Sequence, residues 1–193
     1  LSFFYQKYKR KPFSKPISTF PKMKNLLQKI FFNKKFVFLD YGGQYIDNYL
    51  YLSNFFDKIE YFYLDNPQNN KIVKNFIKDK KIKNFKVVNS IYELKKKKID
   101  FINFGSVLQY INNKKNILNF IKKNKPKYIL ISGIILLKKK VKSFVCKQVN
   151  VWPQINYCFF FNKDYFNSIF VKNNYIKVFF KKNLTDKRIN FSN

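Results

Sequence analysis

The 193-residue chain has no histidine, two cysteines, four glycines and ten acidic residues. Without histidine, and with Cys146 and Cys158 in no cluster of ligand-type residues, the sequence offers no zinc site and metal-ligating residues are expected to be none. Two cysteines make no disulfide scaffold, and both read as core or loop residues. Long apolar runs are missing too. The longest, Tyr128 to Leu137, is about half of the roughly 18 residues a spanning helix needs. Leu1 to Arg10 is aromatic and basic, without a signal-peptide core followed by small residues. A cytoplasmic protein with no membrane span is the expectation.

The shortage of acid leaves 40 Lys and Arg against 10 Asp and Glu, a net charge of +30. Such a charge attracts nucleic acid without conferring specificity. Lys, Asn, Ile, Phe and Tyr are all abundant, and all have A/T-rich codons. Base composition alone therefore accounts for the charge, and nucleic-acid binding is the lesser reading. The runs Lys95–Lys98 and Lys138–Lys140 read as solvated loops.

What is present is an apolar content of 46% and enough length for one domain with a sizeable core. Residues 1–20 lack periodicity and read as a basic, aromatic arm. Residues 21–193 read as a single domain. Within it, short apolar runs alternate with helical spacing. Phe36–Leu39, Tyr61–Leu64, Phe85–Val88, Asp100–Phe104 and Tyr128–Ile131 read as strands, the first of them a continuous apolar run suited to burial on both faces. Between them, Leu26, Leu27, Ile30 and Phe31 share one helical face. So do Tyr45, Tyr49, Leu52 and Phe56, then Ile72, Val73, Phe76 and Ile77, and then Ile117, Leu118 and Ile121. Asn66-Pro67 reads as a helix start, and Ile91 to Leu94 as a short helical turn. After the fifth strand the rhythm breaks. Helical spacing returns over Asp164 to Phe170, and Tyr175 to Phe180 reads as a late strand. Strand–helix alternation predicts an α/β fold: a three-layer, Rossmann-like arrangement around a mostly parallel sheet with the first strand in its middle.

The four glycines locate the chemistry. Average usage would give about three times as many. Gly42, Gly43, Gly105 and Gly133 all fall just past the C-terminal ends of expected strands, the edge where open α/β sheets bind ligands. Each alone is equally consistent with an ordinary tight turn; all four together favour a site. The scarce acids share the bias. Asp40 ends the first strand and Asp65 the second. An acid at the end of strand two is placed to accept both ribose hydroxyls of an adenosine cofactor. The alternative for Asp65 is a helix cap. Asp40-Tyr41-Gly42-Gly43 lacks the third glycine of a dinucleotide fingerprint, which favours a phosphate-free cofactor, S-adenosylmethionine, over NAD. With Asp65, that stretch makes up the core of the expected cofactor site. Asn89 and Ser90 after the third strand, and Gly105 and Ser106 after the fourth, complete it.

These residues resemble a family of bacterial methyltransferases whose core reads Leu-Asp-Phe-Gly-Gly-x-x-Gly-x-x-Tyr. Here the stretch is Leu39-Asp40-Tyr41-Gly42-Gly43-Gln44-Tyr45-Ile46-Asp47-Asn48-Tyr49. The family's Ser-Ser-x-Leu-Gln-Tyr is echoed by Gly105-Ser106-Val107-Leu108-Gln109-Tyr110, and its Tyr-Ile-x-Ile-Asp-Arg by Tyr128-Ile129-Leu130-Ile131-Ser132-Gly133. Gln148, Pro153, Ile155 and Phe159–Phe161 follow in the family's order. The likeness covers about residues 36–185. It implies class I, S-adenosylmethionine-dependent methyl transfer to a small molecule or a sugar intermediate of surface-polysaccharide synthesis. Gln109, Tyr110, Gln148 and Tyr157 lie in segments that would border the acceptor, although packing explains each equally well. Two departures, Ile46 for the family's last glycine and Ser132-Gly133 for its acid–base pair, keep open a binding protein with weakened turnover. The charge keeps open an RNA-binding domain or RNA methyltransferase.

Overall fold

The computed structural model describes residues 20–43, 46–138, 140–151 and 154–177. Within these, the helices are α1 (Phe20–Phe31), α2 (Asp47–Leu52), α3 (Pro67–Asp79), α4 (Lys114–Asn124) and α5 (Lys163–Val171). The strands are β1 (Phe36–Tyr41), β2 (Ile59–Leu64), β3 (Phe85–Val87), β4 (Phe101–Gly105), β5 (Tyr128–Ser132), β6 (Leu136–Leu137), β7 (Phe144–Val151) and β8 (Gln154–Asn162). Single 3₁₀ turns cover Ile91–Leu94 and Leu108–Tyr110.

Strands β1 to β5 form one parallel sheet in the order β3-β2-β1-β4-β5. The expected parallel sheet is present with β1 at its centre. Alternation along β1 explains the layers. Phe36 and Phe38 face one side, where Met23 and Leu27 of α1, Tyr49 and Leu52 of α2, and Val73 and Phe76 of α3 bury them. Leu39 faces the other side with Ile102 and Phe104, beneath Ile117, Phe120 and Ile121 of α4 and Phe166 of α5. Aromatic rings fill the first layer by stacking: Phe38 lies 5.0 Å from Tyr61 and 5.2 Å from Phe101.

Local chemistry sets the element ends. Asn66 caps α3, its side chain accepting from the Asn69 N–H, with Pro67 at the first helical position. The helix expected through Tyr45 and Phe56 is shorter. It holds only Asp47–Leu52, Phe56 packs from the turn after it, and Tyr45 lies outside the described residues. Part of the Lys95–Lys98 run is not simply solvated. Lys97 donates to both Glu60 carboxylate oxygens at 2.6 and 2.7 Å. Lys98 caps the C-terminus of α4 through the carbonyls of Asn124 and Lys125.

The largest departure follows β5. Residues 144–151 and 154–162 pair as the antiparallel β7–β8 hairpin, and β8 also pairs in parallel with the short β6. The expected late strand is not seen over Tyr175 to Lys177, which have no regular structure; Val178 to Phe180 lie outside the described residues. So do most of the N-terminal arm and Trp152-Pro153. Among the described residues, no helix is long and apolar enough to cross a membrane.

Candidate functional site

The order reverses at β1, with β2 on one side and β4 on the other. This creates a switch point at the C-terminal sheet edge. Asp40, Asp65 and the turn after β4 meet at this edge, as the register of β1 with β2 and β4 requires.

Asp40 lies under the edge rather than on it. It is fully buried, and its carboxylate accepts from the Tyr61 hydroxyl at 2.5 Å, the Asn48 amide at 2.8 Å and the Asn103 amide at 2.9 Å. Both carboxylate oxygens are thus engaged by protein donors. Asp40 ties β1, β2, β4 and α2 together beneath the turn. Burial pushes its carboxyl above the usual range, against the lowering effect of the three hydrogen bonds, and the nearby Asp65 adds to the rise. The same burial, together with the Asp40 charge, holds the Tyr61 hydroxyl well above its usual range. One buried oxygen nearby, Asn48 Oδ1, has no partner among the described residues.

Asp65 lies at the end of β2 and is half-buried. It does not cap α3; Asn66 does. One Asp65 oxygen accepts from the Asn66 N–H at 2.6 Å, the other from the Tyr63 hydroxyl at 3.3 Å. Its backbone is held by Asn70, a buried amide that accepts from the Asp65 N–H and donates to the Val88 carbonyl, both at 3.0 Å. Asn70 thus fixes the ends of β2 and β3 relative to each other, which no sequence pattern revealed. Half-buried Tyr41 stands close by. Burial raises its hydroxyl, and the charge of Asp65 raises it further.

The glycines answer mainly to close packing of the turns. Gly42 takes φ +74°, and a Cβ there would fall 2.4 Å from Val107 Cβ; its N–H donates to the Leu64 carbonyl at 2.7 Å. A Cβ on Gly43 would fall 2.6 Å from an Asp40 oxygen. Gly133 takes φ +61° with Ser106 directly against it; a Cβ there would fall 2.8 Å from Ser106 Cβ and 3.1 Å from its Cα. Ser106 is itself left-handed, at φ +53°. Ile46 has φ −78° and is buried in the core, so that position needs no glycine. Gly133→Ala is expected to cost about 1–3 kcal/mol, from the positive φ and the overlap with Ser106. Urea unfolding measures it, and a neutral result would show that the turns can separate freely.

The remaining expected residues divide. Exposed Asn89 accepts from Lys74, and Ser90 caps the 3₁₀ turn by accepting from the Tyr92 N–H. Both stand beside the β3 end that Asn70 holds. Gln109 is buried; its amide donates to the carbonyls of Ser106 and Gly133, both at 3.0 Å, and so joins the turns after β4 and β5. Its Oε1 has no partner among the described residues. The Tyr110 hydroxyl donates to Gln148 Oε1 at 3.2 Å, which brings the β7–β8 hairpin against the edge. Tyr157 is not in that group. Gln148 pairs with Asn156, so alternation turns the neighbouring Tyr157 to the hairpin's other face, where it is 57% exposed. Lys114, unmarked by the sequence, holds the hairpin from below: its amine lies over the Phe159 ring and donates to the Ile111 carbonyl. Burial lowers that amine to about 8. No group of three or more metal-ligating side chains occurs among the described residues.

No protein-family model matches the chain, and no curated protein does. Solved structures match its fold. The N-terminal domain of EvdMO1, determined with SAH and D-fucose, aligns over 83% of this chain and 74% of that one, with a TM-score of 0.55 at 9% identity. The same domain with SAH aligns over 81% and 71%, again at 0.55 and 9%. Precorrin-6y C5,15-methyltransferase from Geobacter metallireducens aligns over 76% and 90%, with a TM-score of 0.44 at 14% identity. The chain has a Rossmann-like α/β fold that it shares with the SAH-bound EvdMO1 domain.

Proposed function

We propose that this chain is an S-adenosylmethionine-dependent methyltransferase whose cofactor lies along the C-terminal edge of β1, β2 and β4. The observation that carries the reading is Asp65: a half-buried carboxylate at the end of β2, released from capping by Asn66 and braced by Asn70. A carboxylate there suits the two ribose hydroxyls of an adenosine. The turn after β1 fits the same cofactor. Gly42 and Gly43 are packed against Val107 and Asp40, and no third glycine follows to cradle a pyrophosphate. The cofactor supplies a methyl group on a sulfonium centre.

The chain's own residues position and enclose. Asp40 holds the turn from beneath, Asn70 sets the β2 and β3 ends, and Gln109 joins the turns after β4 and β5. Tyr110 and Gln148 stand where the hairpin meets this edge and border the acceptor. Alignment of the reacting atoms then supplies most of the rate. With no histidine in the chain, the proton of an acceptor hydroxyl passes to a tyrosine, a carboxylate or solvent. The acceptor in this reading is a small molecule or sugar intermediate of surface-polysaccharide synthesis, as the sequence resemblance implies. The setting is the cytoplasm, the expectation drawn from a sequence without a spanning run or a signal-peptide core. Nucleic acid is the weaker candidate, since base composition accounts for the charge and charge alone gives attraction without specificity.

Calorimetry with S-adenosylhomocysteine, S-adenosylmethionine and NAD tests the reading. Binding of both S-adenosyl compounds and not of NAD is expected. Binding of NAD alone would replace it with a dinucleotide enzyme, and binding of none would leave a fold without its cofactor.

A further inference from the structure

The chain's only two cysteines are paired by the fold. They are twelve positions apart in sequence, yet the β7–β8 register sets Cys146 directly opposite Cys158. Residues facing each other across antiparallel strands point to the same side, with Cα atoms about 4.5 or 5.5 Å apart. Both spacings fall within the roughly 4.4–6.8 Å that a disulfide spans. A one-residue slip would turn one side chain to the opposite face. The register is well held around the pair: Phe144 stacks on Phe160 at 5.0 Å on the same face, and Tyr110 is hydrogen-bonded to Gln148. The thiols also sense each other. Burial pushes the Cys158 thiol up, the neighbouring Cys146 adds to the rise, and a hydrogen bond with Tyr110 opposes it. Both sulfurs are free thiols; Cys146 is half-buried and Cys158 buried.

We infer that Cys146 and Cys158 are a cross-strand thiol–disulfide site, closed by exchange with a low-molecular-weight disulfide such as glutathione disulfide. Cys146, the more accessible thiol, loses its proton and attacks one glutathione sulfur. The glutathione S–S bond breaks, and one glutathione leaves as thiolate. The Cys158 thiolate then attacks the Cys146 sulfur of the mixed disulfide and releases the second glutathione. The two protons given up by the cysteines end on the two glutathiones. The protein is oxidised by two electrons and the glutathione disulfide reduced by two. The new bond staples the hairpin that Tyr110 holds against the sheet edge.

The test uses the full folded chain, incubated with glutathione disulfide without denaturant, followed by intact-mass analysis, thiol counting and peptide mapping. The wild-type protein is expected to lose the mass of two hydrogens and both titratable thiols, and to remain unlinked to other chains. A peptide joining residues 146 and 158 should appear, and dithiothreitol should reverse the change. Cys146→Ser should form no internal bond and take up at most one glutathione. Because the mapping is made on wild-type protein, a poorly folding variant leaves the test intact. Two thiols persisting, two stable glutathione adducts, or disulfides only between chains would each overturn the inference.

Discussion

Asp40→Ala is expected to lower folding stability by about 3 kcal/mol or more, since it leaves three buried donors without their acceptor, at roughly 1–3 kcal/mol each. Those donors are the Tyr61 hydroxyl and the amides of Asn48 and Asn103. Relief of a buried charge offsets part of the loss. Asp40→Asn should cost much less. The new amide oxygen still accepts from Asn103, and its NH₂ can donate to Asn48 once that side chain turns its unpartnered Oδ1 inward. The two variants therefore separate a hydrogen-bonding role from a need for charge. The pH dependence follows from the direction of the shift. The Asp40 carboxyl is raised above its ordinary 3.8 on folding, so its contribution is fully present below that value and is lost as pH rises through the folded value. Stability of the wild type relative to Asp40→Asn should fall over that window and then level off. Urea unfolding across acid to neutral pH measures both effects; equal losses for the Ala and Asn variants would show that the ionised carboxylate is required.

Much of this architecture was legible because the central strands are buried on both faces and read as short apolar runs ending in acid or glycine. Phe36–Leu39 and Tyr61–Leu64 are such runs, and the helices between them repeat apolar residues at helical spacing. The hairpin was not legible. Val145, Lys147, Val149, Ile155 and Tyr157 lie along one of its faces, and four of these are exposed apolar residues, so the polar–apolar alternation that marks a half-buried strand is absent. The glycines lie at the C-terminal sheet edge for a packing reason that sequence did not show. At Gly42 and Gly133 they let neighbouring turns pack on Val107 and Ser106. Asp40 shows the limit of reading a strand end: sequence placed an acid at the edge, but only the hydrogen bonds from Tyr61, Asn48 and Asn103 show it facing inward. Asn70 escaped notice because a lone asparagine in a helix carries no pattern; its role exists only once β2 and β3 are side by side.

The affinity of wild-type and Asp65→Ala protein for S-adenosylhomocysteine tests the central claim most directly, because it needs no knowledge of the acceptor. Two hydrogen bonds from ribose hydroxyls to a carboxylate are charge-assisted, worth about 1.5–3 kcal/mol each. Their loss predicts at least a tenfold weaker complex, since about 1.4 kcal/mol is a factor of ten. Asp65→Asn should lose less, as one amide oxygen still accepts. Folding should persist in both variants, because α3 keeps its own cap at Asn66 and Asn70 still binds the backbone N–H of residue 65. The account predicts a wild-type complex, a deficit of tenfold or more for Asp65→Ala, and an intermediate value for Asp65→Asn. Equal affinities across the three proteins, or no binding to wild type, would contradict it.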